Sequence, residues 1–199
     1  MQAQDDGNRK ALPPRERILF TAHDLFYREG IRATGVDRLI AKSSVTKRTF
    51  YRQFASKNDL ILAFLESRHE NWMAWLVTRL EHHGGDINAL CPTLSEWFNS
   101  PDFRGCAFIN SLGELGGTLP EVVEITKRHK EEMSEAIERI LPDTPRRKQT
   151  ALSLALAIDG AIIRTQFDGS PDMALSLLAN LVLSATTLSM NQKEEGRGH

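Results

Sequence analysis

The sequence has few cysteines, no long apolar run and no apolar leader. Its 199 residues include only Cys91 and Cys106, so no disulfide framework is implied and a reducing cytosol is the default. No stretch is apolar over the roughly 20 residues that a membrane span needs. The N-terminus, residues 1–14, is polar and lacks the apolar core of a signal peptide. We therefore expect a soluble, cytoplasmic protein that does not engage membranes.

The sequence also lacks the usual signals of catalysis. It has no nucleophile elbow, no readable Ser/His/Asp constellation, no phosphate-binding loop and no metal-ligand spacing. His82 and His83 are adjacent at a predicted helix end, and neighbouring helical residues do not face the same way. We therefore predict no enzyme, no cofactor and no metal site.

Charge is distributed unevenly along the chain. Net charge is −1, but residues 9–57 carry 12 Lys/Arg against 4 Asp/Glu, which leaves 13 and 22 for the remainder. A basic N-terminal quarter on an acidic body is typical of a nucleic-acid reader with a separate second function. The alternative is an ordinary solvated basic face.

Within this basic quarter, the residues from Gly35 to Phe54 also show a helical pattern. Val36, Leu39 and Ile40 form one apolar helical stripe. A turn follows, and a second short helix has only Phe50 and Phe54 as inner residues. Its remaining residues are cationic or hydroxylated, which suits the DNA major groove. The pattern predicts a helix-turn-helix.

The rest of the chain is predicted to be all-α, since no convincing period-2 strand occurs. Pro14 and Gly30 bound a first helix, and a long helix with Ser56 as its predicted cap runs from Lys57 to the Gly84-Gly85 pair. Thr34 is interpreted either as part of a capping box with Asp37 or as a phosphate contact. A later helix is predicted from a cap at residues 100–102 to Gly116. The predicted domains are an arm over 1–13, a DNA-binding domain over 14–56, an effector-binding and dimerisation domain over 57–190, and a tail over 191–199.

The last two predicted helices, ending at Phe167 and near Met190, are apolar around most of their circumference. Such helices are buried on more than one side. A second subunit supplies that burial most simply, in a four-helix interface formed by two chains. The alternative is the centre of a monomeric bundle.

Three segments resemble the TetR family of transcriptional regulators. They are residues 34–41 (TGVDRLIA), 45–51 (VTKRTFY) and 54–60 (FASKNDL). The resemblance implies an all-α fold of about nine helices with a homodimer formed by the last two. The sequence departs from the family pattern at Ser44, where a turn glycine is usual, at Arg48, which replaces a glycine, and at Gln53, which replaces His or Tyr.

The same resemblance implies residue roles in DNA binding. Base-edge contacts fall to Thr46, Lys47, Arg48 and Thr49, phosphate contacts to Thr34, Tyr51 and Lys57, and Arg52 suits either. For Tyr51 the alternative is a core ring packed under Phe50.

In the second half, residues 104–114 resemble a sixth-helix segment of many TetR-family members. Cys106, Asn110 and Glu114 recur every four residues along it, which suits either a ligand pocket or a hydrogen-bonded seam. The family's helices four to seven leave room for an apolar effector. The predicted effector residues are Trp72, Phe98, Cys106, Asn110, His129, Arg164 and Phe167.

The sequence therefore predicts a ligand-responsive, sequence-specific DNA-binding regulator. We expect a homodimeric repressor, released from a palindromic operator by a small apolar effector. One alternative is a thiol-based redox or electrophile sensor acting through Cys106, which lies early in a helix after Arg104. Another is a protein-binding helical dimer that has lost DNA binding.

Overall fold

The computed structural model describes residues 12–195, with side chains for residues 12–185. In that part of the chain every regular element is helical, which confirms the all-α prediction. The α-helices are α1 (Pro14–Glu29), α2 (Val36–Ser43), α3 (Lys47–Gln53), α4 (Lys57–His82), α5 (Leu90–Phe98), α6 (Ala107–Leu115), α7 (Pro120–Arg139), α8 (Arg147–Asp168) and α9 (Asp172–Glu195), and a 3-10 turn covers Ile87–Ala89. Most of the predicted arm and part of the predicted tail lie outside the described residues. None of the described helices is long and apolar enough to cross a membrane.

The chain divides into two compact units. The first contains residues up to 70 together with residues 107–126, and the second contains residues 71–106 together with those from 127 onward. Helices α4 and α7 each contribute residues to both units. The predicted domain boundary at residues 56 and 57 stays a prediction.

The first unit is built on the apolar stripe of α1. Ile18, Ala22, Leu25 and Phe26 are buried there. Phe26 meets Phe64 of α4 edge to face, with ring centroids 5.5 Å apart. The helix ends at Gly30, whose φ of 91° is a conformation that L side chains rarely adopt.

The turn between α2 and α3 is closed by Ser44 in the left-handed conformation, at φ 53° and ψ 42°. Its backbone N–H bonds Ala41 O at 3.3 Å, and that of Val45 bonds Ile40 O at 3.3 Å. The serine therefore adopts the geometry for which glycine is favoured, at a conformational cost.

Two predicted helix caps have different outcomes. The capping box at Thr34 and Asp37 is wrong, because the N-cap of α2 is Gly35 and no side chain caps it. The predicted Ser56 cap is confirmed. Ser56 Oγ accepts from Asp59 N at 3.1 Å, and Asp59 Oδ2 accepts from Ser56 N at 3.0 Å.

In the second unit α8 packs on α9. The inner face of this pair buries Leu154, Ile158, Ile162 and Leu178.

The prediction that a helix begins at residues 100–102 is wrong, because those residues form a turn and α6 begins at Ala107. Gly105 lies between them at φ 85°, and a Cβ there would stand 2.3 Å from the Gln166 side chain. The chain must pass this point without a side chain.

Candidate nucleic-acid interface and effector site

Helix α3 is held by a small set of inward contacts. Its N-cap is Thr46, whose Oγ1 accepts the backbone N–H of Thr49 at 3.1 Å. Phe50 is completely buried, and Phe54 after the helix is 4% exposed. These residues fix the helix by one face and leave the other face in solvent.

The outer face of α3 is cationic. Lys47, Arg48 and Arg52 are exposed. No carboxylate in the described part of the chain forms an ion pair with any of the three. Their guanidinium and ammonium groups are therefore available to an external anion such as DNA.

Tyr51 satisfies parts of both interpretations. It is 44% exposed, and its ring meets Phe50 edge to face with centroids 5.3 Å apart. Thr46 and Thr49 are hydrogen-bonded to each other at 2.9 Å between their hydroxyl oxygens. A base contact by either threonine would have to share or replace that bond.

Thr34 and Lys57 are already engaged in internal contacts. Thr34 is 0% exposed, and its hydroxyl donates to Gly30 O at 2.8 Å. Lys57 Nζ donates to Ile31 O at 2.6 Å. Burial lowers the pKa of Lys57, and the nearby Glu114 carboxylate opposes that shift. Both residues hold the α1–α2 turn.

Glu114 of α6 completes that turn. Its Oε1 accepts the N–H of Ile31 at 3.1 Å, and its Oε2 accepts the N–H of Arg32 at 2.7 Å. A Cβ at Gly30 would lie 3.2 Å from the same carboxylate. Of the two alternatives for this segment, Glu114 takes part in hydrogen bonding, with backbone amides of a turn as its partners. The sequence did not reveal its partners, because backbone amides leave no residue pattern.

The predicted effector residues fall into separate places. Trp72 and His129 are buried with ring centroids 5.0 Å apart, and Trp72 also meets Trp97 at 5.3 Å. Trp97 in turn contacts Phe98 at 5.5 Å. The indole Nε1 of Trp72 is buried and has no hydrogen-bond partner in the described part of the chain. This aromatic cluster therefore has an unsatisfied donor.

Arg164 and Phe167 lie elsewhere. They line a groove between α8 and α9, together with Leu177 and Leu181. The Arg164 guanidinium lies 5.6 Å from the centroid of the Phe167 ring and pairs with Asp168 at 3.0 Å. The structure thus does not bring these two residues to the Trp72 cluster.

Cys106 and Asn110 lie at the start and middle of the α6 segment. Cys106 is 3% exposed. Asn110 is half-buried, and its side chain interacts with another group of the protein. Burial raises the pKa of the Cys91 thiol, which lies on α5.

The fold and the basic outer face of α3 define a helix-turn-helix DNA-binding protein. Comparison with known proteins agrees, because residues 18–64 match the family described as "Bacterial regulatory proteins, tetR family". The resemblance of the N-terminal segments to TetR-family transcriptional regulators is therefore confirmed over residues 18–64. This is a family of regulators rather than of enzymes.

Three relatives illustrate the likeness. The structure is similar to that of SCO4454, a TetR-family regulator from Streptomyces coelicolor, at TM-score 0.77 and 28% identity, covering 86% of this chain and 93% of that one. An uncharacterised HTH-type regulator of Lactococcus lactis is 20% identical over 90% of this chain and 87% of its own. The HTH-type transcriptional activator FasR of Mycolicibacterium smegmatis is 36% identical over 70 residues, which is 33% of this chain and 32% of FasR.

Proposed function

We propose that this protein is a homodimeric repressor that reads a palindromic operator and is released from it by a small, largely apolar effector. The observation that carries the proposal is the division of α3 between a buried Phe50 and three exposed, unpaired cations at Lys47, Arg48 and Arg52. Helices with this division place their polar face in the major groove. Tyr51, at the edge of that face, is available for a phosphate.

Dimer formation is supported by the outer surface of α8 and α9. Leu156 is 76% exposed, Phe167 is 67% exposed and Leu183 is 63% exposed. Large exposed apolar surfaces are rare on monomeric soluble proteins and mark interaction sites. A second copy of the same helix pair would cover it across a two-fold axis.

An effector is supported by the buried donor of Trp72. A buried polar atom without a partner is costly, and an acceptor on an otherwise apolar ligand would satisfy it. Helix α4 carries both Lys57 and Trp72, so a ligand that moves α4 at Trp72 changes the spacing of two reading heads. That change would cost affinity, because both half-sites must be engaged at one spacing.

We propose that the protein represses transcription, whereas the relative FasR is named as a transcriptional activator. A thiol-sensing mode through Cys106 gains no support from its burial, since reactive cysteines are partly exposed. We therefore retain the effector-released form of the proposal.

A gel-shift titration on the DNA upstream of the protein's own gene tests this function. We expect a specific shift at physiological salt that Lys47→Ala/Arg48→Ala removes. The matched control is Lys127→Ala/Lys148→Ala, which deletes two exposed cations of the second unit and should bind normally. A wild-type protein that fails to discriminate this DNA from scrambled DNA contradicts the proposal.

A further inference from the structure

The end of α4 brings together three potential metal ligands. His82 is the last residue of α4, His83 follows it, and Glu96 lies on α5. One donor atom from each of the three lies within 4.8 Å of the others. The sequence-based argument against a metal site fails here, because His83 lies beyond the helix and the two imidazole centroids are only 5.1 Å apart.

The backbone that carries these ligands is firmly hydrogen-bonded. The N–H of His83 bonds Arg79 O at 3.0 Å, and that of Gly85 bonds Leu80 O at 2.9 Å. Asp86 then accepts from Asn88 N at 2.8 Å as the chain enters the 3-10 turn. Two consecutive residues with positive φ, Gly84 at 111° and Gly85 at 69°, make the reversal. The ligands therefore do not depend on a long, unstructured loop.

Glu96 is oriented from both sides. Its Oε1 lies 2.7 Å from His83 Nε2, and its Oε2 lies 3.2 Å from Arg79 Nε. Second contacts of this kind hold a ligating carboxylate in one orientation. The C-terminal end of a helix also favours a cation, because its free carbonyl groups carry partial negative charge.

Two imidazole nitrogens and one carboxylate oxygen are a ligand set typical of Zn²⁺ with an open fourth position. Bonds of roughly 2.0–2.2 Å in a tetrahedron require ligand separations of about 3.4 Å. The His83–Glu96 pair is already closer than this. The donor atom of the exposed His82 lies within 4.8 Å of the other two donors, so it must move inward by no more than about 1.4 Å to match the same tetrahedron.

We propose that His82, His83 and Glu96 form a binding site for a divalent transition-metal ion, with Zn²⁺ as the reference ion and water as the fourth ligand. Binding replaces the His83–Glu96 hydrogen bond and leaves the Arg79 contact in place. The ion would tie the end of α4 to α5. This site is independent of DNA reading by α3. Because protonated imidazole cannot ligate, binding should weaken as pH falls.

The test uses full-length protein without an affinity tag, titrated with ZnCl₂ by calorimetry. We expect one equivalent per chain and an increase in the midpoint of thermal unfolding. His82→Ala and Glu96→Gln should each weaken binding by at least about tenfold and remove the thermal shift. Glu81→Gln, an exposed acid beside the site, and Cys91→Ser, which removes a thiol, should bind like the wild type.

Circular dichroism of the metal-free variants tests whether they remain folded, and we expect spectra like that of the wild type. Their DNA binding in the presence of a chelator should equal that of the wild type. The proposal is overturned if no saturable binding occurs below millimolar Zn²⁺. It is also overturned if the His82→Ala/Glu96→Gln double variant binds Zn²⁺ as the wild type does.

Discussion

The Glu114 carboxylate accepts the backbone N–H of Arg32 at 2.7 Å, although the two residues are 82 positions apart. The same carboxylate accepts from Ile31, whose carbonyl accepts from Lys57. One acid from α6 thus holds the turn that leads into the helix-turn-helix. A hydrogen bond to a charged group contributes about 1.5–3 kcal/mol.

We expect Glu114→Ala to lower the free energy of unfolding by about 2–4 kcal/mol, because two N–H groups lose their acceptor. Glu114→Gln keeps one acceptor oxygen and should lose roughly half as much. Urea denaturation measures both variants. Glu121→Ala, an exposed acid on α7, is the control. If Glu114→Ala is as stable as that control, the turn does not depend on the carboxylate.

Arg48 is the residue we expect to set sequence preference. It is exposed on α3 where the family pattern has glycine, and arginine commonly pairs with guanine O6 and N7. Arg48→Gly should reduce discrimination at one base pair per half-site by about 1–3 kcal/mol.

Selection from a randomised operator library measures this change. Arg28→Gly, in the last turn of α1 where Arg28 already pairs with Asp24, is a charge-matched control that should keep the operator ranking. An Arg48→Gly variant with the wild-type ranking would show that other residues read the bases.

The turn at Ser44 shows how much of the local fold can be predicted from the sequence. The two helices around it can be predicted from spacing, because Leu39 recurs with Val36 and Ile40 in the first helix and Phe50 recurs with Phe54 in the second. The sequence also shows the departure from the usual glycine. It does not show that the backbone keeps φ near 53° despite the serine, because tertiary packing decides whether a turn adjusts or remains strained.

Ser44→Gly should therefore stabilise the protein by up to about 1 kcal/mol, since glycine adopts positive φ without a steric cost. The larger backbone entropy of glycine in the unfolded chain offsets part of the gain. The midpoint of thermal unfolding is measured for Ser44→Gly and for Ser56→Gly, so that relief of the positive φ at Ser44 is distinguished from the general cost of a new glycine. The second variant deletes a helix cap and should be destabilised. A lower midpoint for Ser44→Gly would mean that the serine is not strained.

The effector residues were the least predictable part of the site. Trp72 of α4 and His129 of α7 meet only in the folded chain, which no local spacing encodes. Arg164 and Phe167 were grouped with them by residue type. They lie instead in the groove of the α8–α9 pair, because a helix that is apolar on most sides does not reveal which side faces which neighbour.

The exposed α8–α9 face makes a separate prediction. Leu156→Glu/Leu183→Glu should shift a dimer to monomer, because two charges per chain would be buried at the interface. Sedimentation velocity measures the change. Leu112→Glu, on an exposed position of α6 at 39% exposure, is the control and should leave the mass unchanged. A wild-type protein that sediments as a monomer at micromolar concentration contradicts the dimer.

His23 predicts a pH dependence of the first unit. Burial, and secondarily the charge of Arg68, lowers its pKa from 6.5 to about 4. The ring lies against Phe64 with centroids 4.9 Å apart, in a setting that favours the neutral imidazole. The unfolded chain therefore binds more protons than the folded chain between these two values, and stability must fall as pH decreases through this window.

The His23 contribution is complete above pH 6.5 and is lost by about pH 4. A shift of this size corresponds to about 3 kcal/mol. Urea denaturation at pH 7.5 and pH 4.5 measures the loss, and His23→Gln should show a smaller loss over the same window because its side chain does not titrate. Equal losses in the wild type and in His23→Gln would assign the acid sensitivity to other groups.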